Sequence, residues 1–251
     1  MLGVMGESAI MAHIGGRGGR KMPVIRFTSS EDDPFVQALS CNGTITIEST
    51  KDGETVTETY NNLKDTLVEI QADADTEILI YGYVTDLYFT AYSEEDEDYS
   101  GFTDLSSLDL SETNVLKALS VDYNSVLEEL DVTHNTNLQT LICGDMENLT
   151  GIDVSKNTKL TYLYCAYCEG ITELNLAANT ALQYLNCNSC TSLSDISYPA
   201  TNSDVSTAIA GAITNATAAD GTVYTDSAGA YYSIIATAAT AKGWTIEQLQ
   251  S

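Results

Sequence analysis

A pattern that recurs every 22 residues runs from Leu105 to Ile196 and constrains the fold more than any other feature of the chain. Apolar residues return to the same positions in each copy. Such self-similarity at a fixed period is typical of a solenoid, in which each coil buries its apolar side against its neighbours. The aligned columns are Leu108, Leu130, Ile152, Leu174 and Ile196; Leu116, Leu138, Leu160 and Leu182; Leu119, Leu141, Leu163 and Leu185; and Val121, Cys143, Cys165 and Cys187.

Each unit is itself two copies of an 11-residue pattern. Residues 160–182 read Leu-x-x-Leu-x-Cys-x-x-Cys-x-x-Ile-x-x-Leu-x-Leu-x-x-Asn-x-x-Leu. This pattern resembles the leucine-rich repeat, in the nested form of bacterial cell-surface and phage-associated proteins. The resemblance covers residues 105–196 well and 78–104 weakly. It implies a mainly β repeat, a right-handed solenoid of the α/β leucine-rich-repeat class, and we expect no cofactor.

The segments on either side of the repeat predict a cap at each end, because a solenoid must cover its open apolar ends. Residues 1–22 are interpreted as a flexible basic tail. Residues 23–83 contain short alternating runs with Asp52-Gly53 as a hairpin turn, and they predict a small β cap. Residues 84–196 are assigned to the solenoid. Its degenerate first repeat contains Val84, Leu87 and Phe89.

The repeat period is lost after Ile196, and residues 197–251 predict an α+β cap. Ser203 is a candidate helix cap, and a second helix is predicted from about Ser227 to a stop at Gly243. Short strands are expected at residues 222–225 and 244–246.

The charge of the chain excludes several classes of partner. Acidic residues number 36 against 10 basic ones, which gives a formal net charge of −26. Such an anionic body repels nucleic-acid phosphates and anionic lipid. No apolar run reaches the roughly 18 to 20 residues of a membrane span. We therefore expect a monomer with a protein or glycan ligand, no nucleic-acid partner and no membrane span.

The first residues do not form a usual secretory signal. Glu7 and His13 interrupt the apolar run, and the basic residues follow this run instead of preceding it. The family resemblance, in contrast, implies a cell-surface, extracellular or virion-associated setting. Met11 is an alternative start that would leave a shorter tail.

Two cysteine pairs, Cys165-x-x-Cys168 and Cys187-x-x-Cys190, have the spacing of a zinc ribbon. The repeat explains them better, because other residue types occupy the same columns. Valine and methionine cannot replace zinc ligands, so the columns favour small buried side chains over zinc or disulfides, and we predict no metal site. The other occupants of these columns are Val121, Asn124 and Met146.

Polar columns also follow the repeat, and they predict turn chemistry in which side chains satisfy backbone groups at each corner. A catalytic constellation should break the repeat, so paired-carboxylate catalysis is disfavoured, and neither histidine, His13 nor His134, accompanies a nucleophile motif. We expect no enzyme. The columns are Asp109, Asp131, Asp153 and Asn175, and then Asn135, Asn157 and Asn179.

Two further segments have a weaker alternative interpretation. The acidic run Glu94–Asp98 reads as a solvated loop, with a calcium site as the alternative, although it lacks the ligand spacing of an EF-hand. The glycine-rich run at residues 13–21 lacks the Ser or Thr of a phosphate-binding loop.

The outward side of the Leu-x-x-Leu-x-Cys half-repeat is the predicted ligand-binding strip. Exposed tyrosines are enriched in binding patches, although tyrosine ladders also stabilise sheets by stacking, and both interpretations stay open. The predicted function is non-catalytic recognition or adhesion. The alternative is a structural part of a phage or mobile-element particle that uses the solenoid as a spacer. The predicted ligand-binding residues are Asp122, Tyr123, Ile142, Asp145, Tyr162, Tyr164, Tyr167, Tyr184, Asn186 and Asn188.

Overall fold

The computed structural model describes residues 22–89 and 104–249, and its N-terminal part is an antiparallel β unit. Asp52 and Gly53 both have positive φ, 53° and 74°, and join two strands as the predicted hairpin turn. Gly43, with φ 78°, lies in a register shift that bends one strand without ending it. That strand, β2 (Phe35–Lys51), is therefore longer than expected, and β5 (Glu77–Tyr88) is also longer than expected. The strands are β1 (Val24–Ser29), β2 (Phe35–Lys51), β3 (Glu54–Asn61), β4 (Thr66–Glu69) and β5 (Glu77–Tyr88).

Replacing Gly53 with alanine is expected to lower the free energy of unfolding by about 1 kcal/mol, because a Cβ strains the left-handed backbone at φ 74°. Urea denaturation measures this loss. Gly151→Ala is the matched control, since a Cβ there meets no atom within 4 Å. The control should change stability by less than about 0.5 kcal/mol. Equal losses in both variants would contradict the turn assignment.

Parallel strands then stack at the predicted 22-residue period. Leu119, Leu141, Leu163 and Leu185 lie opposite one another in successive strands. Leu87 of β5 pairs with Leu119, so β5 shares the register of the repeat strands and is continuous across the expected boundary at residue 83. The strands of the repeat are β6 (Leu105–Asp109), β7 (Ala118–Ser120), β8 (Thr140–Ile142), β9 (Tyr162–Tyr164), β10 (Glu173–Asn175) and β11 (Tyr184–Asn186).

The strands of the described residues form two sheets. The first, here called the repeat sheet, has the order β11-β9-β8-β7-β5-β1-β6, with β2, β3 and β4 attached to β5 through β2. The second contains β10, followed by β12 (Asp195–Tyr198), β13 (Thr222–Thr225) and β14 (Thr245–Gln248), all parallel. This arrangement is a β-rich repeat fold.

The end of the sequence period at Ile196 does not end the second sheet. Leu174, Ile196, Val223 and Ile246 lie opposite one another, so the coil continues after the leucine pattern stops. Two helices, α1 (Ser203–Asn215) and α2 (Tyr232–Lys242), connect these last strands. They take the place of further strands in the repeat sheet, and α1 packs against β11.

The helix boundaries differ from the predicted ones for local reasons. Asn202, not Ser203, caps α1, because its Oδ1 accepts hydrogen bonds from the backbone N–H groups of Asp204 and Val205. The second helix begins at Tyr232 and not near Ser227, since an Asp226 turn precedes it. Its predicted stop is confirmed, because Gly243 has φ 84° in the left-handed region.

One continuous core takes residues from both sheets. The leucine and cysteine columns are almost fully buried except at Leu108, and Phe27 of β1 packs edge-on against Phe89 with ring centroids 5.0 Å apart. At the other end Trp244 is buried and its Nε1–H donates to the carbonyl oxygen of Ala218 at 3.2 Å. In the part of the chain that the structure describes, no helix is long and apolar enough to cross a membrane.

Candidate functional site

The outward side of the repeat sheet, here called the tyrosine face, is built by alternation along its strands. Leu163 and Cys165 face the core, so Tyr162 and Tyr164 face outward. The side chains in these positions are small on β7, and they include tyrosines on β9 and β11. Register pairing gives two outward columns: Asp86, Ala118, Thr140, Tyr162 and Tyr184, and beside it Tyr88, Ser120, Ile142, Tyr164 and Asn186.

A third column follows the strand ends and has left-handed backbone in every coil. Tyr123, Asp145, Tyr167 and Ser189 have φ values of 61°, 52°, 60° and 60°. Such values are uncommon for residues other than glycine. Each backbone N–H of the first three donates to a carbonyl in the next coil, for example Tyr167 to Asn188 at 2.8 Å. Asp145 thus has one tyrosine of the column on each side, Tyr123 and Tyr167.

The tyrosines of the face differ in exposure and in contacts. The rings of Tyr162 and Tyr184 stack in parallel, with centroids 4.3 Å apart and an interplanar angle of 7°. The ring of Tyr164 lies on Gly144, where a Cβ would overlap it, so glycine provides the space for this ring. Tyr167 and Tyr184 are 51% and 41% exposed. These two rings offer the largest accessible aromatic area of the face.

Asp122 was predicted to lie on the outward strip, but it is only 6% exposed and lies beneath the face. Its Oδ1 accepts a hydrogen bond from the backbone N–H of Gly144 at 2.8 Å. Burial raises the pKa of Asp122 to about 7, against the opposing effect of that hydrogen bond, and Asp145 adds to the rise. Burial also raises the pKa of Asp145.

The hydroxyl of Tyr164 is close enough to both carboxyl groups to be affected by them. Burial raises the pKa of Tyr164 first, and the negative charges of Asp145 and Asp122 raise it further. The phenol is therefore protonated at neutral pH and is a hydrogen-bond donor. The negative charges of both carboxyl groups thus act on the phenol of Tyr164.

Asp122 aside, the structure places the predicted residues on the outward side of the repeat sheet or at its strand ends. Ile142 is half-buried and Asn188 is exposed. Asn186 serves partly as a turn residue, because its Oδ1 accepts from the backbone N–H of Asn188 at 3.1 Å. The prediction missed Asp86 and Tyr88, which extend both outward columns onto β5. Their neighbour Leu87 already followed the repeat, so alternation could have identified them. Ligand contact by any of these residues stays a prediction.

The cysteine columns lie inside the coil. Cys143, Cys165, Cys168, Cys187 and Cys190 are buried free thiols. Sγ of Cys168 donates to the carbonyl of Cys143 at 3.1 Å, and Sγ of Cys190 to that of Cys165 at 3.0 Å. Burial raises the pKa of Cys168 to about 12, so this thiol is protonated in the folded protein. Within residues 22–89 and 104–249, no group of three His, Cys, Asp or Glu side chains could hold a metal ion.

The acidic column forms turns, as its repetition predicted. Oδ1 of Asp109, Asp131 and Asp153 accepts from the backbone N–H two residues later at 2.8 Å, and Asn175 does so at 3.1 Å. Hydrogen bonds from Ser111, Thr133 and Ser155 lower the pKa of the three aspartates.

The asparagine column is buried and links neighbouring coils. Nδ2 of Asn157 donates to the carbonyls of Val132 and Asn135, at 2.9 Å each, and Asn179 repeats this one coil later at 3.0 Å. These bonds add a second donor to carbonyl groups that already accept from backbone N–H groups, as Val132 does from Asn135 and Asn135 from Leu138.

Of the two histidines, the structure describes His134. Nδ1 of His134 lies 4.0 Å from Oδ2 of Asp131, and both side chains are mostly exposed in a turn. His13, the glycine-rich run at residues 13–21 and the acidic run Glu94–Asp98 lie outside the described residues.

Comparisons with known proteins give one similarity. No protein-family model matches the chain, and no curated protein matches it. Among solved structures it is similar to the functional domain of InlJ from Listeria monocytogenes, described as including a cysteine ladder. The two are 28% identical over 48% of this chain and 33% of that one, with a TM-score of 0.26. The chain thus spans about a third of that domain's length.

Proposed function

We propose that the chain is a leucine-rich-repeat solenoid, closed by a β cap and an α+β cap, and that it is a non-catalytic recognition or adhesion protein. The tyrosine face binds a protein or a glycan. This proposal includes a cell-surface or virion setting, which follows from the sequence resemblance. The alternative, a particle component, depends on the basic tail at residues 1–22, of which only residue 22 is described.

The observation that supports binding is that the residue types in the outward columns change from coil to coil. A ladder that served only the sheet would place similar side chains in every coil, as the asparagine and leucine columns do. Instead these columns change from Ala118 and Ser120, which are 6% and 3% exposed, to Tyr162 and Tyr164 within two coils. Tyr167 and Tyr184 remain substantially exposed. Tyrosine supplies large contact area at low conformational cost, as binding surfaces require.

The double variant Tyr167→Ser and Tyr184→Thr tests this proposal. The chain itself uses these residues in the same columns, as Ser189 and Thr140, so the coil should tolerate them. We expect ligands found by screening the full chain on arrayed glycans and arrayed peptides to bind the variant at least about tenfold more weakly. The free energy of unfolding should fall by only about 1 kcal/mol.

Tyr83→Thr is the matched control, because Tyr83 is 40% exposed on β5, outside the tyrosine face. It should leave ligand binding unchanged. If the double variant instead loses several kcal/mol of stability while the array signals persist, the tyrosines serve sheet stacking and the proposed function is wrong.

A further inference from the structure

A groove of about 440 Å³, here called the β6 groove, lies between β6 and residues 126–129 of the next coil. Hydrogen bonds hold the two coils together on either side of it. The backbone N–H of Leu105 donates to Oδ1 of Asn124 at 2.6 Å, and Nδ2 of Asn135 donates to the carbonyl of Leu110 at 3.2 Å. Among the described residues, no hydrogen bond joins the middle of β6 to residues 126–129. The two coils are therefore not sealed against each other along this stretch.

The lining of the β6 groove combines acidic groups with accessible apolar surface. Glu128 and Glu129 are both exposed, and no basic residue of the described chain lines the groove beside them. Val126 is 43% exposed, and Leu108 is only partly buried. The groove thus suits an occupant that carries positive charge together with an apolar side chain.

The glycine-rich run at residues 13–21 has this composition. It contains Arg17, Arg20 and Lys21, which are three of the ten basic residues of a chain with 36 acidic ones. It also contains Ile14 and no acidic residue. Charge complementarity between this run and the acidic groove therefore favours their contact.

The run also joins the fold close to the groove. β1 pairs with β6, and its Phe27 lies opposite Leu108 of the groove. Residue 22 precedes Phe27 by five positions, which places it roughly 17 Å from Leu108 along the strand. A run of nine residues spans up to about 30 Å when extended. Residues 13–21 are therefore long enough to turn back along β6 and reach the groove.

We infer that residues 13–21 of the chain itself occupy the β6 groove, with Ile14 against Val126 and the arginines beside Glu128 and Glu129. A basic segment of a partner protein would have to compete with a run that is linked to the same chain, at a roughly millimolar effective concentration. The groove shares no residue with the tyrosine face. Contact between the run and the groove is thus independent of the proposed ligand binding.

Disulfide crosslinking within the full chain tests this contact. The variant Ile14→Cys and Val126→Cys, treated with oxidised glutathione, should form its intramolecular disulfide at least about tenfold faster than Ile14→Cys and Tyr83→Cys. Tyr83 is a demanding control, because it is 40% exposed and its neighbour Gly82 donates its N–H to the carbonyl of Pro23 at 3.0 Å. A run without a preferred site would meet Cys at position 83 at least as often. The native cysteines are buried and do not compete.

The charges of the groove are tested in the same crosslinking variant. Adding Glu128→Gln and Glu129→Gln should slow the disulfide at least about threefold, and added salt should slow it as well. Adding Glu147→Gln and Glu169→Gln instead removes two exposed carboxylates from later coils and should leave the rate unchanged. Equal slowing by both pairs would mean attraction by net charge alone and would overturn the inference.

Two further outcomes would overturn the inference. Equal rates at positions 126 and 83 would show that residues 13–21 do not prefer the groove. Disulfide-linked dimers in place of the intramolecular product would make a second copy of the chain the occupant. If circular dichroism shows that Val126→Cys unfolds the coil, Ser107→Cys replaces it, since Ser107 is exposed and lines the β6 side of the same groove. The same tenfold excess over position 83 is then expected.

Discussion

Replacing Asn157 with alanine is expected to lower the free energy of unfolding by about 2 kcal/mol. The side chain is fully buried, and its Nδ2 donates to the carbonyls of Val132 and Asn135. Alanine removes both hydrogen bonds, each of which contributes roughly 0.5 to 1.5 kcal/mol, while the two carbonyls keep the backbone N–H groups of Asn135 and Leu138 as donors. Its Oδ1 has no hydrogen-bond partner among the described residues, so removing that atom offsets part of the cost. Chemical denaturation followed by circular dichroism measures the change.

Asn148→Ala is the matched control for this prediction. Nδ2 of Asn148 also donates to a carbonyl of the preceding coil, that of Ser125 at 2.6 Å, but this bond is exposed. Water replaces an exposed donor at little cost, so the control should lose less than about 0.5 kcal/mol. Similar losses in both variants would show that the asparagine column does not stabilise the coil through burial of its hydrogen bonds.

Replacing Asp122 with asparagine is expected to stabilise the protein increasingly as the pH rises from about 5 to about 7. The folded protein holds the proton of Asp122 with a pKa of about 7, whereas the ordinary value is 3.8. The unfolded chain therefore loses this proton first, and wild-type stability falls between these two values and is not lost further above pH 7. Asparagine does not titrate, and its Oδ1 can still accept from Gly144. At pH 8 the variant should be more stable by roughly 2 to 4 kcal/mol.

Thermal unfolding of wild type and variant at several pH values between about 5 and about 8 measures this difference. Asp153→Asn is the control, because Ser155 lowers the pKa of that exposed carboxyl. Stability from a lowered pKa is present above the ordinary value and is lost as the pH falls toward the lowered one, which is the opposite dependence. A difference between Asp122→Asn and wild type that stays constant with pH would contradict the buried-carboxyl assignment.

Local pattern predicted much of the candidate site, because alternation along a strand assigns each residue to the core or to the outward side. It placed Leu163 inside and both Tyr162 and Tyr164 outside. It failed for Asp122, which follows the strand. That side chain takes its direction from a hydrogen bond to Gly144, a residue one coil away. This contact joins two coils, so the spacing of residues within one coil does not predict it.

The sequence by itself determined the 22-residue coil, its buried columns and its turns, since each depends on residue types at fixed spacing. Only the tertiary structure decided two further features. The second sheet continues from Ile196 to Val223 and Ile246, because parallel pairing between coils depends on backbone hydrogen bonds and not on the leucine pattern. The left-handed backbone of Asp145 is also tied to the next coil, through its N–H bond to Ala166, and this places one carboxylate between two tyrosines.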